Sequence, residues 1–159
     1  MKILLLEDEL MLNNAISEYL KNIGHMVESF SDGQEVLDNI NNTYDLLILD
    51  INVPTKDGFE ILSELNSKKI YIPTIFISAL IDIEDISKAY SLGCREYIKK
   101  PFHLGELGIK INQILKKEQN NTTHIKFSEN YSYSKDKQTL YFNGEPQSLT
   151  KKQLEIFHI

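Results

Sequence analysis

The stretch Leu46-Leu47-Ile48-Leu49-Asp50 places four apolar residues directly before a carboxylate. A short run that is apolar at every position predicts a strand buried on both faces, as in a parallel sheet. The carboxyl end of such a strand lies at the edge where open α/β sheets bind their ligands. Asp50 is therefore a candidate functional residue, although the same position also suits a residue that only caps the next turn or helix.

Outward from this strand, apolar runs alternate with amphipathic segments along residues 1–118. In the segment 9–23, for example, Leu12, Ile16 and Leu20 recur at four-residue steps, and Gly24 predicts a helix C-cap. The predicted strands are 2–6, 27–30, 46–50, 74–77 and 95–98, and helices follow them at about 9–23, 31–40, 59–66, 82–92 and 103–117. Strict alternation indicates an α/β fold with a five-stranded parallel, doubly wound sheet of order 2-1-3-4-5, which is flavodoxin-like or CheY-like.

The pattern changes after residue 118. Residues 119–124 are polar and lack periodicity, which predicts a linker. Residues 125–159 contain short alternating runs and the turn sequence Asn143-Gly144, which predict an antiparallel β meander, and Thr150 then caps the start of a helix. Because so small a sheet buries little apolar surface, we expect 125–159 to be the first part of a truncated domain.

Composition narrows the classes of function. The chain has 159 residues, 42% hydrophobic and 25% charged, which are globular values, and we expect no membrane span, no disulfide for its single Cys94, and a cytoplasmic location. Residues 1–118 contain 12 Lys and Arg against 19 Asp and Glu, whereas 119–159 contain five against four. The acidic larger segment disfavours nucleic-acid binding, so any DNA contact is expected from the second segment or beyond it.

Three carboxylates follow two strands that the predicted sheet makes neighbours. Glu7 and Asp8 follow the first strand and Asp50 ends the third. Converging carboxylates repel one another unless a cation lies between them, and oxygen ligands favour Mg²⁺. The backbone carbonyl of Asn52, in the following loop, would complete the ligand set. Taken alone, Glu7 and Asp8 suit a helix cap equally well.

Two further polar residues end neighbouring strands. Ser78 ends the fourth strand and Lys100 follows the fifth. A carboxylate nucleophile surrounded by a metal site, a lysine and a hydroxyl is typical of phosphoryl transfer. Each residue alone has an ordinary structural interpretation: Ser78 as a cap, Lys100 as a solvated charge and Tyr97 as a core residue. The position of all three residues at the ends of strands favours the functional interpretation.

These residues resemble the receiver domain of bacterial two-component response regulators over 1–118. The motifs that carry the resemblance are Glu7-Asp8, Asp50 with Pro54 and Gly58, Ser78-Ala79, Tyr97, and Lys100-Pro101-Phe102. The segment after them is similar to the start of an OmpR/PhoB-type winged-helix domain, through the meander, Asn143-Gly144-Glu145, and residues 149–155.

The resemblance implies a role for each site residue. Asp50 would accept a phosphoryl group from a histidine kinase, with Mg²⁺ held by Asp8, Asp50 and the Asn52 carbonyl, and by Glu7 through water. Lys100 would contact the phosphoryl group, and the peptide bond between it and Pro101 would be cis. The protein would then be no enzyme, apart from phosphorylating and dephosphorylating itself at Asp50.

The resemblance also implies an output. Ser78 and Tyr97 would act as the switch, and phosphorylation would rearrange the face made by helix 4, strand 5 and helix 5, through which receivers form homodimers. The complete C-terminal domain would bind DNA, which this truncated chain is not expected to do. Arg95 departs from the acidic residue usual at its position, which puts the usual charge pairs of the dimer in doubt.

Three alternatives remain open. A phosphatase of the haloacid-dehalogenase type would need a second Asp two residues after the nucleophile, where this chain has Asn52. A flavodoxin-like cofactor binder would need a phosphate-binding loop after the first strand, where Glu7 and Asp8 repel phosphate. A receiver that acts by protein contact alone, without phosphorylation, would leave the complete site unused.

Overall fold

Five parallel strands form the central sheet of the computed structural model, which describes residues 1–126, 131–134 and 139–147. The strands are β1 Lys2–Leu6, β2 Met26–Phe30, β3 Leu46–Asp50, β4 Thr74–Ser78 and β5 Glu96–Lys99. Their order in the sheet is β2-β1-β3-β4-β5, and every neighbouring pair is parallel. The predicted doubly wound α/β fold is confirmed, and β3 begins and ends at the predicted residues.

The helices connect the strands in strict alternation. They are α1 Leu10–Asn22, α2 Gly33–Asn39, α3 Gly58–Ser67, α4 Ile83–Ser91 and α5 Leu104–Thr123. Local chemistry sets their ends: Asp57 and Glu60 form a capping box at the start of α3, and Gly24, with a φ of 101°, follows the end of α1.

The core covers both faces of the sheet. Leu47 and Leu49 of β3 belong to a buried cluster that includes Phe59 and Ile61 of α3. Leu46 and Ile48 point to the opposite face and are also buried. A strand buried on both faces has to be apolar throughout, which is why the run before Asp50 carries no alternation.

The described chain separates into two compact units, Met1–Ile111 and Asn112–Ile159. Helix α5 continues to Thr123, beyond the predicted end at Lys117, so most of the stretch 119–124 that we predicted as a linker is helical. The stretch 119–124 contains neither Gly nor Pro, the residues that most often end a helix. Where one domain ends and the next begins stays a prediction.

The second unit contains an antiparallel sheet of order β6-β7-β8-β9. Its strands are β6 His124–Lys126, β7 Tyr131–Ser134, β8 Thr139–Phe142 and β9 Glu145–Gln147. Asn143 and Gly144, both with positive φ, form the predicted turn between β8 and β9. The predicted helix that starts at Thr150 lies outside the described residues. In the parts of the chain that the structure describes, no helix has the length and apolar character needed to cross a membrane.

Candidate functional site

The sheet brings the three predicted carboxylates together. Leu6 of β1 pairs with Leu49 of β3, so the residues that follow these two strands lie side by side. Oxygens of Glu7, Asp8 and Asp50 all lie within 4.8 Å of one another. Glu7 and Asp50 are buried, whereas Asp8 is exposed. The predicted convergence is confirmed, and the cluster opens to solvent on the side of Asp8.

Lys100 joins two of these carboxylates. Its Nζ lies 2.7 Å from Oδ2 of Asp50, to which it donates a hydrogen bond, and 2.7 Å from Oε2 of Glu7. Burial alone would lower the pKa of Lys100, but its contacts with Asp50 and Glu7 raise the pKa above its ordinary value. The ammonium group is therefore charged at neutral pH and offsets the charge of both partners.

Glu7 is the least exposed of the acidic residues in the cluster. Oε1 accepts a hydrogen bond from the backbone N–H of Glu9 at 3.0 Å. Oε2 is buried and forms the ion pair with the Lys100 ammonium group. Burial raises the pKa of Glu7, and its contact with Lys100 only partly offsets that effect.

This donor set fits a hard divalent cation. Three clustered carboxylates offer oxygen ligands only, which are the ligands that a hard cation prefers. Mg²⁺ is bound in proteins by one or two carboxylates together with water, and the exposure of Asp8 leaves access for that water. Glu7, Asp8 and Asp50 could therefore hold Mg²⁺.

The loop after β3 is fixed at its base. The backbone N–H of Asn52 donates to Oδ1 of Asp50 at 3.1 Å, and that of Gly58 donates to the carbonyl of Ile51 at 2.9 Å. A Cβ at Gly58 would lie 2.8 Å from the carbonyl oxygen of Asp50, which explains the glycine that the sequence shows here. These bonds orient the Asp50 carboxylate.

Ser78 and Tyr97 meet at Leu80 in the loop after β4. Ser78 is fully buried, and its Oγ accepts a hydrogen bond from the N–H of Leu80 at 3.1 Å. The hydroxyl of Tyr97 donates to the Leu80 carbonyl at 2.8 Å. Burial raises the pKa of Tyr97, so its hydroxyl remains a donor at neutral pH. The two predicted switch residues therefore hold the same loop residue.

Sequence reasoning missed Asn13, which supports the loop that carries Glu7. Its buried Nδ2 donates to the carbonyl of Glu7 at 2.9 Å, and its Oδ1 accepts from Ser17 at 3.3 Å. The available signal was a polar residue beside the apolar positions of α1. The predicted cis peptide bond between Lys100 and Pro101 is present.

A cleft of about 510 Å³ opens beside Lys100. It lies between the first turn of α1 and the segment after β5, and it is lined by Glu9, Met11, Leu12, Ala79, Lys100, Pro101 and Phe102. Met11 is 82% exposed and Leu10, next to it, is 72% exposed. A partner that reached Asp50 along this cleft would meet apolar surface beside the charged site.

Comparison with known protein families matches residues 3–112 to the family described as the response regulator receiver domain. The chain is also 32% identical over 160 residues to the transcriptional regulatory protein RprY of Bacteroides fragilis, covering 98% of this chain and 68% of that protein.

Solved structures of response regulators and their receiver domains are similar to this chain as well. The non-phosphorylated HemR receiver domain from Leptospira biflexa is 30% identical, with a TM-score of 0.68 over 72% of this chain and 93% of that one. The response regulator DrrB of Thermotoga maritima, an OmpR/PhoB homologue, shares the fold at 24% identity and a TM-score of 0.67, covering 98% of this chain and 69% of its own.

Proposed function

This chain belongs to the response regulators of two-component systems, and its relatives are transcriptional regulatory proteins; from that membership we propose that Asp50 is the phosphoacceptor of a switch that controls transcription. The observation that carries the proposal is the contact of Lys100 with the Asp50 carboxylate at 2.7 Å, inside a cluster of three acidic groups. A buried carboxylate beside a fixed cation suits nucleophilic attack on phosphorus.

The transfer proceeds by in-line displacement at phosphorus. An oxygen of Asp50 forms a bond to phosphorus while the bond from phosphorus to the donor breaks, a P–N bond for a phosphohistidine or a P–O bond for acetyl phosphate. The product is an acyl phosphate on Asp50. Asp50 is thereby consumed and regenerated by hydrolysis, so the chain acts as an acceptor and not as an enzyme on other substrates.

Charge control is divided between the protein and a cation. Glu7, Asp8, Asp50 and the Asn52 carbonyl would hold Mg²⁺, which would neutralise charge on the transferred group. Lys100 contacts Asp50, and it would contact a phosphoryl oxygen after transfer. The buried Glu7 keeps Lys100 at this position through the second ion pair.

Phosphorylation would be read out through the loop after β4. Ser78 and Tyr97 both hold Leu80, so a hydroxyl of Ser78 drawn toward the phosphoryl group would release its bond to that residue. Tyr97 lies on β5, one of the three elements of the α4–β5–α5 face. The proposed switch therefore passes from Ser78 through Leu80 to Tyr97.

The proposed phosphodonor is a sensor histidine kinase. The cleft is lined by Lys100, which contacts the acceptor, and by Met11, and the exposed side chain of Leu10 adds apolar surface next to Met11. Such a surface suits a helical partner that presents a phosphohistidine. DNA binding belongs to the region after residue 118 in this proposal.

The test uses acetyl phosphate with MgCl₂, followed by the intact mass of the protein. We expect a gain of one phosphoryl group that disappears in Asp50→Asn and persists in Asp45→Asn, which changes the Asp that immediately precedes the same strand. Absence of a gain in the unmodified chain, together with absence of Mg²⁺ binding, would defeat the proposal.

Catalytic turnover of a generic phosphate ester would favour the phosphatase alternative, and normal signalling by Asp50→Asn would favour action by contact alone.

A further inference from the structure

The loop after β3 is fastened at its tip as well as at its base. Thr55 lies at the tip, and its hydroxyl donates to Oδ2 of Asp32, at the start of α2. The backbone N–H of Gly33 donates to the carbonyl of Pro54 at 3.2 Å. These two contacts join the loop that follows Asp50 to an element more than 20 residues earlier in the chain.

The backbone at Thr55 needs such a contact. Its φ is 72°, in the left-handed region, which is a rare conformation for a β-branched residue. Backbone conformations of this kind persist where surrounding contacts enforce them. The hydrogen bond from Thr55 is also the main reason that the pKa of Asp32 is lowered, which keeps this acceptor ionised at neutral pH.

Close packing leaves the tip little room. A Cβ at Gly33 would lie 1.9 Å from the carbonyl oxygen of Lys56, so the loop rests directly on the first turn of α2. Only Val53 and Pro54 separate Asn52 from Thr55. Val53 packs against the core, and Pro54 has a fixed φ, so the position of the tip constrains the peptide of Asn52.

We propose that Thr55 and Asp32 are positioning residues for Mg²⁺ binding, because their hydrogen bond restrains the loop whose Asn52 carbonyl would be a ligand of the cation. This inference rests on the proposed function, which makes that carbonyl a metal ligand. We call the hydrogen bond between Thr55 and Asp32 the clamp. Without the clamp the loop samples more conformations, and Mg²⁺ binding has to order it. The clamp acts on metal affinity and leaves the carboxylates themselves unchanged.

The decisive variant is Thr55→Val, which keeps the shape and β-branching of the side chain and removes the hydroxyl. Asp32 still caps α2 through the N–H groups of Gln34 and Glu35 in this variant, whereas Asp32→Ala would remove the cap as well. The matched control is Thr43→Val, an exposed threonine that precedes β3 at its opposite end.

The measurement is an NMR titration of the isotope-labelled chain with MgCl₂, with urea unfolding recorded for each variant. We expect Thr55→Val to weaken Mg²⁺ binding about three- to tenfold, which is the effect of losing one ordinary hydrogen bond that restrains the loop. Thr43→Val should bind like the unmodified chain, and Thr55→Ser, which keeps the hydroxyl, should restore affinity. The urea midpoints of the two valine variants should agree.

The outcomes separate the two proposals. If the unmodified chain binds Mg²⁺ and Thr55→Val binds it equally well, the clamp has no positioning role and the proposed function stands. A loss of affinity equal in Thr43→Val and Thr55→Val also overturns the clamp. If the unmodified chain binds no Mg²⁺ at all, the positioning role is overturned, and the proposed function fails as well if acetyl phosphate adds no phosphoryl group.

Discussion

Lys100 provides the positive charge that lets two carboxylates lie together inside the protein. The side chains of Glu7 and Asp50 are 0% and 5% exposed, and Lys100 is 2.7 Å from each. Removing one member of a buried ion pair leaves its partner charged and uncompensated, which costs more than the pair itself contributes. The stability of the fold and the chemistry of the site therefore depend on the same ammonium group.

Lys100→Met tests this dependence. We expect the free energy of unfolding at pH 7 to fall by about 3 kcal/mol, as for other buried pairs that lose one partner. Lys99→Met, a change at the exposed neighbouring residue, is the control and should leave stability within about 0.5 kcal/mol of the unmodified chain. Equal urea midpoints for the two variants would contradict the bridging role.

The loss of unfolding free energy caused by Lys100→Met should be smaller in acid and in the presence of MgCl₂. Burial raises the pKa of Glu7 above its ordinary value of 4.5, so the folded state holds the Glu7 proton more tightly than the unfolded chain does. The contribution of Glu7 to the free energy of unfolding therefore increases as the pH falls from above its folded pKa to its unfolded value of 4.5, and it decreases as the pH rises again. We expect that gain to be larger without Lys100, and a divalent cation bound at neutral pH would supply the missing positive charge.

At this scale the sequence predicts the ends of strands well and contacts between loops poorly. Glu7, Asp50 and Lys100 are predictable because strand ends in a parallel sheet share one edge. The contact between Asp32 and Thr55 joins two loops and depends on a left-handed backbone at Thr55. No apolar period or turn motif in the sequence marks that conformation, so only the structure locates the clamp.

At the scale of elements, the centre of the sheet is the most predictable part. β3 begins and ends as predicted because both of its faces are buried and every position has to be apolar. Helix α5 is less predictable, because its second half is polar and its extension to Thr123 leaves no periodic trace in the sequence. Burial on both faces gives a stronger sequence signal than a polar helix end does.

Gly33 and Gly105 both lie in helices, but only Gly33 is required by close packing. A Cβ at Gly33, in the first turn of α2, would meet the Lys56 carbonyl oxygen at 1.9 Å, whereas Gly105, in the first turn of α5, has nothing within 4 Å. We expect Gly33→Ala to lower the free energy of unfolding by about 2 kcal/mol through overpacking. Gly105→Ala should raise it by about 0.5–1 kcal/mol. Urea unfolding of both variants measures the difference, and two equal shifts would show that the α2 contact is not tight.

At the scale of the whole molecule, the proposed output surface is the α4–β5–α5 face. Ile83 and Tyr90 lie seven residues apart on α4, so they share one side of the helix, and they are 82% and 48% exposed. Glu96 of β5 and Lys110 of α5 form an ion pair at 3.3 Å within the same protomer. Apolar side chains beside charged groups suit a second copy of this face.

Dimerisation on activation tests that surface. Light scattering should show a larger mass in the presence of MgCl₂ and beryllofluoride, a mimic of the phosphoryl group, than in their absence. Ile83→Glu should weaken the dimer about tenfold or more, since it places a charge in the apolar part of the interface. Met26→Glu, which changes an exposed apolar residue at the start of β2, is the control. Equal effects of the two variants would exclude the α4–β5–α5 face.

The division of charge also belongs to this scale. Residues 1–118 carry the excess of acidic groups, and residues 119–159 are nearly neutral. Residues 1–118 therefore form a poor surface for DNA, and in our proposal contact with a promoter is made outside this segment. The relative RprY, of which this chain covers 68%, is a transcriptional regulatory protein.

The place of β3 in the sheet has a consequence for hydrogen exchange. Its backbone amides are bonded between two neighbouring strands and buried on both faces, so they exchange with solvent only when the whole unit unfolds. The loop that starts one residue later is partly exposed and lies outside the sheet, so we expect its exposed amides to exchange through smaller, local openings. Asp50 therefore lies on the boundary between the slowest and the faster exchanging parts of the chain, where a change in its charge can move a loop while the core stays closed.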